Sequence, residues 1–74
     1  MALSDDVEAC IISTVGPVIG QGLINGCYRH MGISRDELNR DNIDQFIKTL
    51  ETSLPLFVGE QAAAGVIEKI KLIA

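Results

Sequence analysis

Hydrophobic residues recur along most of this chain with the spacing of an α-helix, and no segment shows the alternation of a β-strand. The clearest pattern lies near the middle, where the apolar positions follow at intervals of 3, 1, 3 and 4: Ile43, Phe46, Ile47, Leu50 and Leu54. The intervening positions include Asp44, Gln45, Lys48 and Glu51. This spacing places the apolar side chains on one face of a helix. It predicts a helix that Asp41 caps, whose Phe46 face is core, and that Pro55 stops or kinks.

Both ends of the chain also carry helix signals. Ser4 precedes Asp5 and Asp6, which is typical of an N-cap followed by acidic residues in the first helical turn. We expect this first helix to end at about Val15. The last helix is predicted from Glu60 nearly to the C-terminus, and its inner apolar stripe is Ala63, Val66, Ile67, Ile70 and Ile73.

Residues 9–28 contain no charge but hold four glycines, namely Gly16, Gly20, Gly22 and Gly26. Gly16 and Pro17 are expected to end the first helix and begin a second one that runs to Met31, with Gly32 as its left-handed C-cap. Each internal glycine costs a helix about 1 kcal/mol relative to alanine, so a glycine-rich loop is the alternative. A segment this apolar should lie in the core or in an interface.

The remaining segments predict turns and short elements. Ser34 and Glu37 have the spacing of a capping box, which predicts a short helix or turn through Leu38. Residues 56–58 form an apolar connector, and Gly59 permits a turn. Together these signals predict one domain over residues 1–74, an all-α, compact bundle of four to five short helices.

Composition adds an expectation of self-association. The chain has 74 residues, of which 47% are hydrophobic and only 22% charged, more apolar surface than so small a volume readily hides. We therefore predict a homodimer or larger assembly. The predicted contact surfaces are the glycine face of the second helix (Gly20, Gly22 and Gly26) and outer apolar residues of the last helix, Leu72 with Val66.

Charge and cysteine usage restrict the partners and the compartment. The net charge of −4 and the pI of about 4.6 disfavour nucleic-acid binding. Two cysteines are too few for a disulfide scaffold and no signal-like segment is recognisable, so we expect a cytoplasmic protein. The uncharged segment is long enough to span a bilayer. Its polar residues and four glycines make that alternative the less expected one, although its two Gly-xxx-Gly spacings would suit helix packing in lipid.

None of the candidate metal-binding or phosphate-binding motifs in the sequence is complete. Cys27 and His30 lie three residues apart, with Cys10 as a third possible metal ligand, but the paired ligands of a zinc site are missing. A calcium loop starting at Asp36 would place Asp41 at the position where the loop needs a glycine for its sharp turn. A phosphate-binding loop has a strand before its glycines and a Lys-Ser/Thr pair after them, and the sequence predicts neither here. We predict no catalytic residue, no cofactor and no metal site.

Acyl and peptidyl carrier proteins are acidic helical domains of similar length and carry phosphopantetheine on a serine, usually within Asp-Ser-Leu. Here Ser34 follows Ile33 and precedes Arg35, and Ser53 follows Thr52. Both motifs are therefore broken, and an N-cap role for Ser34 is favoured.

The order of these signals resembles a small all-helical module of prokaryotic proteins that has no assigned activity. The resemblance rests on the first helix, Gly-Pro-Val-Ile-Gly at 16–20, Met-Gly-Ile at 31–33, Asn-Ile-Asp-Gln-Phe at 42–46, the segment 54–59 and the closing Ala/Ile helix. It implies an all-helical fold and no functional residue. The sequence thus favours a small protein-interaction or regulatory module without catalytic activity, which binds a protein partner. The alternative is a carrier of an acyl group or a small apolar ligand.

Overall fold

The computed structural model describes residues 3–73, which form helices and no β-strand. The elements are α1 (Leu3–Val15), α2 (Pro17–Met31), a 3-10 turn (Arg35–Glu37), α3 (Ile43–Ser53), the single turn α4 (Pro55–Val58) and α5 (Glu60–Ile73). The prediction of an all-α bundle of four to five short helices is confirmed.

One hydrophobic core joins the four longer helices. α1 and α3 each pack against both α2 and α5. Phe46 lies at the centre of the core, with its ring centroid 5.4 Å from that of Tyr28. Five aliphatic side chains are as completely buried as Phe46: Val7, Ile11, Leu50, Leu54 and Ile70. The predicted inner face of α3 is therefore core, and so is that of α5 except for Ile73, which is only partly buried.

The junction of α1 and α2 follows from Gly16 and Pro17. Gly16 has a φ of 89°, which only glycine adopts without strain, and it lets the chain turn directly into α2. Pro17 is the first residue of α2, where its missing N–H leaves no helical hydrogen bond unmade. At the other end of α1 the prediction of Ser4 as N-cap is wrong. The helix begins at Leu3, so Ser4 lies inside its first turn and is buried.

α2 is helical from Pro17 to Met31, so the alternative of a glycine-rich loop is wrong. Gly32 has a φ of 71° and donates its N–H to the carbonyl of Arg29, while Ile33 donates to Tyr28. These are the bonds of a left-handed helix cap. The core holds this glycine-weakened helix through a buried face of Gly20, Leu23, Ile24, Cys27 and Tyr28.

The segment between α2 and α3 is organised by side-chain hydrogen bonds. The Glu37 carboxylate accepts hydrogen bonds from the Ser34 N–H at 3.0 Å and from its hydroxyl at 3.1 Å, which confirms the predicted capping box. The N-cap of α3 is Asn42, so the prediction of Asp41 is wrong by one residue. Asn39 and Asn42 cross-link this turn, since the side-chain oxygen of each accepts a backbone N–H of the turn.

Pro55 ends α3 and begins α4. The segment that the sequence predicted as a connector forms one helical turn, because Pro55 is well suited to the first position of a helix. Gly59, with a φ of 85°, ends this turn and accepts the first helical hydrogen bond of α5 from Ala63 at 3.1 Å. The short turn leaves Leu56 and Phe57 on the surface of the bundle.

Candidate interaction surface

A groove of about 550 Å³ lies on the surface between α2 and the segment formed by α3 and α4. We call it the α2–α4 groove. Its lining residues are Gly22, Leu23, Gly26, Cys27 and His30 from α2, and Lys48, Thr49, Thr52, Ser53, Leu56 and Phe57 from α3 and α4.

The floor of the groove is shaped by two glycines. Gly22 and Gly26 lie one turn apart on α2, and a Cβ atom added to either of them would meet no atom of another element within 4 Å in the described part of the chain. Their backbones are therefore open to approach from outside. Gly20, two residues earlier, differs because a Cβ there would lie 2.9 Å from Cγ1 of Ile12, so Gly20 serves the contact between α1 and α2.

At one end of the groove, α4 contributes an apolar and exposed surface. The exposed fraction is 82% for Leu56 and 58% for Phe57. Ile19, which is 45% exposed, precedes Gly22 and Gly26 by three and seven residues and so continues their face of α2 by one turn. Large apolar side chains that cluster on one surface, in contrast to scattered ones, are typical of binding sites.

The other end of the groove is basic. His30, in the last turn of α2, and Lys48, in α3, line it together. Among residues 3–73 the ion pairs are those of Arg35 with Asp5 and Glu8, so Lys48 has no carboxylate partner in the described part of the chain. The groove thus runs from an apolar end at Leu56 and Phe57 to a basic end at His30 and Lys48.

Cys27 lies at the bottom of the groove as a buried free thiol. Burial raises its pKa to about 11, because removal from water penalises the thiolate. The thiol is therefore protonated at neutral pH and acts as a small apolar side chain.

The predicted interface residues divide into two groups. Gly22, Gly26 and Leu72 are exposed, and the two glycines lie in one groove. The assignment of the other two to an outer surface is wrong: Gly20 is buried against Ile12 of α1, and Val66 is only 2% exposed within the core. Leu56 and Phe57 were not among the predicted interface residues. Their signal was an apolar run without a charged residue after Pro55, which was assigned to a connector.

A second polar cluster, which the sequence did not indicate, joins α1, α2 and the 3-10 turn. Glu8 is nearly buried and accepts a hydrogen bond of 3.0 Å from the Tyr28 hydroxyl. Its carboxylate also lies 3.2 Å from Nε of Arg35, and Arg35 pairs with Asp5 as well. Burial and the bond to Glu8 raise the pKa of Tyr28. Every charged member of the cluster has a partner, so its evident role is to fasten the 3-10 turn to α1.

The candidate ligands weighed in the sequence do not form a metal site within residues 3–73, where no group of three or more His, Cys, Asp or Glu side chains is arranged around a common point. Cys10 lies beside α5, with its Sγ 3.9 Å from the carbonyl oxygen of Val66. In the described part of the chain, no helix has the length and apolar character needed to cross a membrane.

Comparison with known proteins gives no relative: no family model, no curated protein and no solved structure matches this chain. The functional argument therefore rests on the α2–α4 groove itself.

Proposed function

We propose that this protein is a small helical protein-interaction module that associates with a second copy of itself through the α2–α4 groove. The observation that carries the proposal is the pairing of two open glycines, Gly22 and Gly26, with the exposed side chains of Leu56 and Phe57 in one groove.

The physical reason for association is the cost of leaving this surface in water. Burial of apolar surface contributes about 25 cal/mol per Å², and an exposed phenylalanine and leucine next to each other offer a compact anchor. The absent side chains of Gly22 and Gly26 let a partner helix approach the α2 backbone closely. The proposed function is binding alone and includes no catalytic step.

A second copy is the proposed occupant because the same chain combines a small size with a large apolar content. A domain of 74 residues buries a limited share of its surface on folding, and association with further copies of the same chain covers exposed apolar surface.

The alternative function, a carrier of an acyl group or small apolar ligand, has weaker support. The α2–α4 groove is bordered by exposed residues, and the Ser34 hydroxyl donates a hydrogen bond to Glu37 within the capping box. Intact-mass measurement of protein from its native cell tests this alternative, since a phosphopantetheine or bound lipid would add mass to the chain.

The groove can be tested by filling it. Gly26→Gln places a long side chain in the groove and improves helix propensity, so the fold should tolerate it. Asn25→Gln is the matched control, because Asn25 is the exposed neighbour of Gly26 on the same helix but does not line the groove. We expect sedimentation equilibrium to show association weakened about tenfold or more for Gly26→Gln and unchanged for Asn25→Gln.

Phe57→Ser provides an independent variant, since it removes the exposed anchor without adding bulk. It should weaken association in the same way. The proposal is overturned if Gly26→Gln and Phe57→Ser both remain folded, as judged by circular dichroism, and both associate as strongly as the unmodified protein.

A further inference from the structure

We infer that the segment that occupies the α2–α4 groove is the outer face of α5 from a second copy, so that copies join head to tail. This inference rests on the proposed function and specifies its partner surface.

The outer face of α5 lies opposite the core stripe of that helix. Helical spacing places four exposed residues on it: Gln61, Gly65, Glu68 and Leu72. Leu72 is 84% exposed and is the one large exposed apolar residue in residues 3–73 that lies outside α2 and α4. A Cβ atom added to Gly65 would meet no atom of another element within 4 Å among the described residues, so this face also allows close approach of another helix.

The charges of the two surfaces are complementary. The groove ends at His30 and Lys48, whereas Glu68 is the charged residue of the α5 outer face and forms no ion pair among residues 3–73. In a chain of net charge −4, this basic end is a local exception. Opposite charges across an interface select the partner and its orientation more than they add affinity.

Each of the two surfaces carries an apolar group at one end and a charged group toward the other. Glu68 and Leu72 are four residues apart, which corresponds to about 6 Å along a helix. Leu72 can therefore lie against the apolar end, at Leu56 and Phe57, while Glu68 extends toward Lys48 at the basic end. This arrangement fixes the direction in which α5 enters the groove.

An interface between two different surfaces of the same chain does not close by itself in a dimer. Each copy keeps one free groove and one free α5 face, so association continues into a ring or an open chain. An interface between two identical surfaces would stop at a dimer.

The test mixes two variants that are each defective in one surface. Gly26→Gln blocks the groove but keeps the α5 face, and the double variant Glu68→Lys with Leu72→Ser disables the α5 face but keeps the groove. All three positions are exposed, so both proteins should fold. We expect each variant alone to be monomeric, and their equimolar mixture to form a one-to-one dimer that grows no further.

The outcomes separate this inference from the proposed function. If the α5 double variant alone associates as the unmodified protein does while Gly26→Gln is monomeric, the α5 face is not the occupant and the groove remains the binding surface. If both variants associate normally, the proposed function fails as well.

A charge exchange provides a second measurement. Lys48→Glu and Glu68→Lys should each weaken association about tenfold, and an equimolar mixture of the two should recover it. Asp36→Lys is the control for Glu68→Lys, because it makes the same charge change on an exposed residue of the 3-10 turn that lines neither the groove nor the pocket beside Glu68. Failure of the mixture to associate better than either variant alone would overturn the pairing of Lys48 with Glu68.

Discussion

At the scale of single residues, the glycines of α2 have different roles that depend on what lies next to them. Gly20 faces Ile12, whose Cγ1 and Cα atoms lie 2.9 and 3.2 Å from a would-be Cβ, so α1 and α2 approach more closely than alanine would permit. Gly22 and Gly26 have no such neighbour among residues 3–73. Their cost to helix stability, about 1 kcal/mol each, therefore needs a reason outside the monomer.

Alanine substitution at Gly20 and Gly22 should have opposite effects on the monomer. Gly22→Ala should raise the free energy of unfolding by about 1 kcal/mol, because alanine is the better helix former and meets no clash. Gly20→Ala should lower it by about 1 to 2 kcal/mol, since the steric cost exceeds the same propensity gain. Urea denaturation at low protein concentration measures both. Equal stabilisation by the two substitutions would contradict the close contact at Ile12.

At the scale of elements, Arg35 ties the connection between α2 and α3 to α1, while Leu38 of the same connection is buried in the core. The arginine side chain leaves the 3-10 turn and reaches Asp5 and Glu8 on α1, while Glu8 also accepts from Tyr28. Exposed ion pairs contribute little, but the Glu8 side chain is only 11% exposed, which makes its pairing the more important of the two.

Arg35→Gln should lower the free energy of unfolding by about 1 kcal/mol, because Glu8 then loses its charged partner. Arg40→Gln is the control: Arg40 is also exposed, and it forms no ion pair among residues 3–73. Thermal unfolding measures both variants, and we expect a lower melting temperature for Arg35→Gln than for Arg40→Gln. Equal melting temperatures for the two would show that the Arg35 contacts do not fasten the 3-10 turn.

The elements themselves were largely predictable from sequence, because their signals are local. Gly32 and Pro17 mark the bounds of α2, and the spacing around Phe46 marks the buried face of α3. The errors occurred where local signals competed. Asp41 and Asn42 are both good helix caps, and the hydrogen bonds of Asn39 decide between them. The single turn α4 was missed because an apolar run of four residues has too little length to show a period.

At the scale of the whole molecule, the sequence indicated that some apolar surface would need a cover but could not say where it lies. Val66 was predicted both in the inner stripe of the last helix and among its outer residues, and its burial in the bundle shows that the inner assignment is correct. The α2–α4 groove depends on α4 coming to lie beside α2, two elements separated by more than 20 residues in the sequence. No local pattern encodes that proximity.

The most direct test of the central claim, self-association through the α2–α4 groove, is sedimentation equilibrium of the unmodified protein over a hundredfold range of micromolar concentrations. We predict a weight-average mass above the 8.0 kDa of one chain that rises with concentration, and the loss of this rise in Gly26→Gln. A mass of 8.0 kDa across the whole range would contradict self-association.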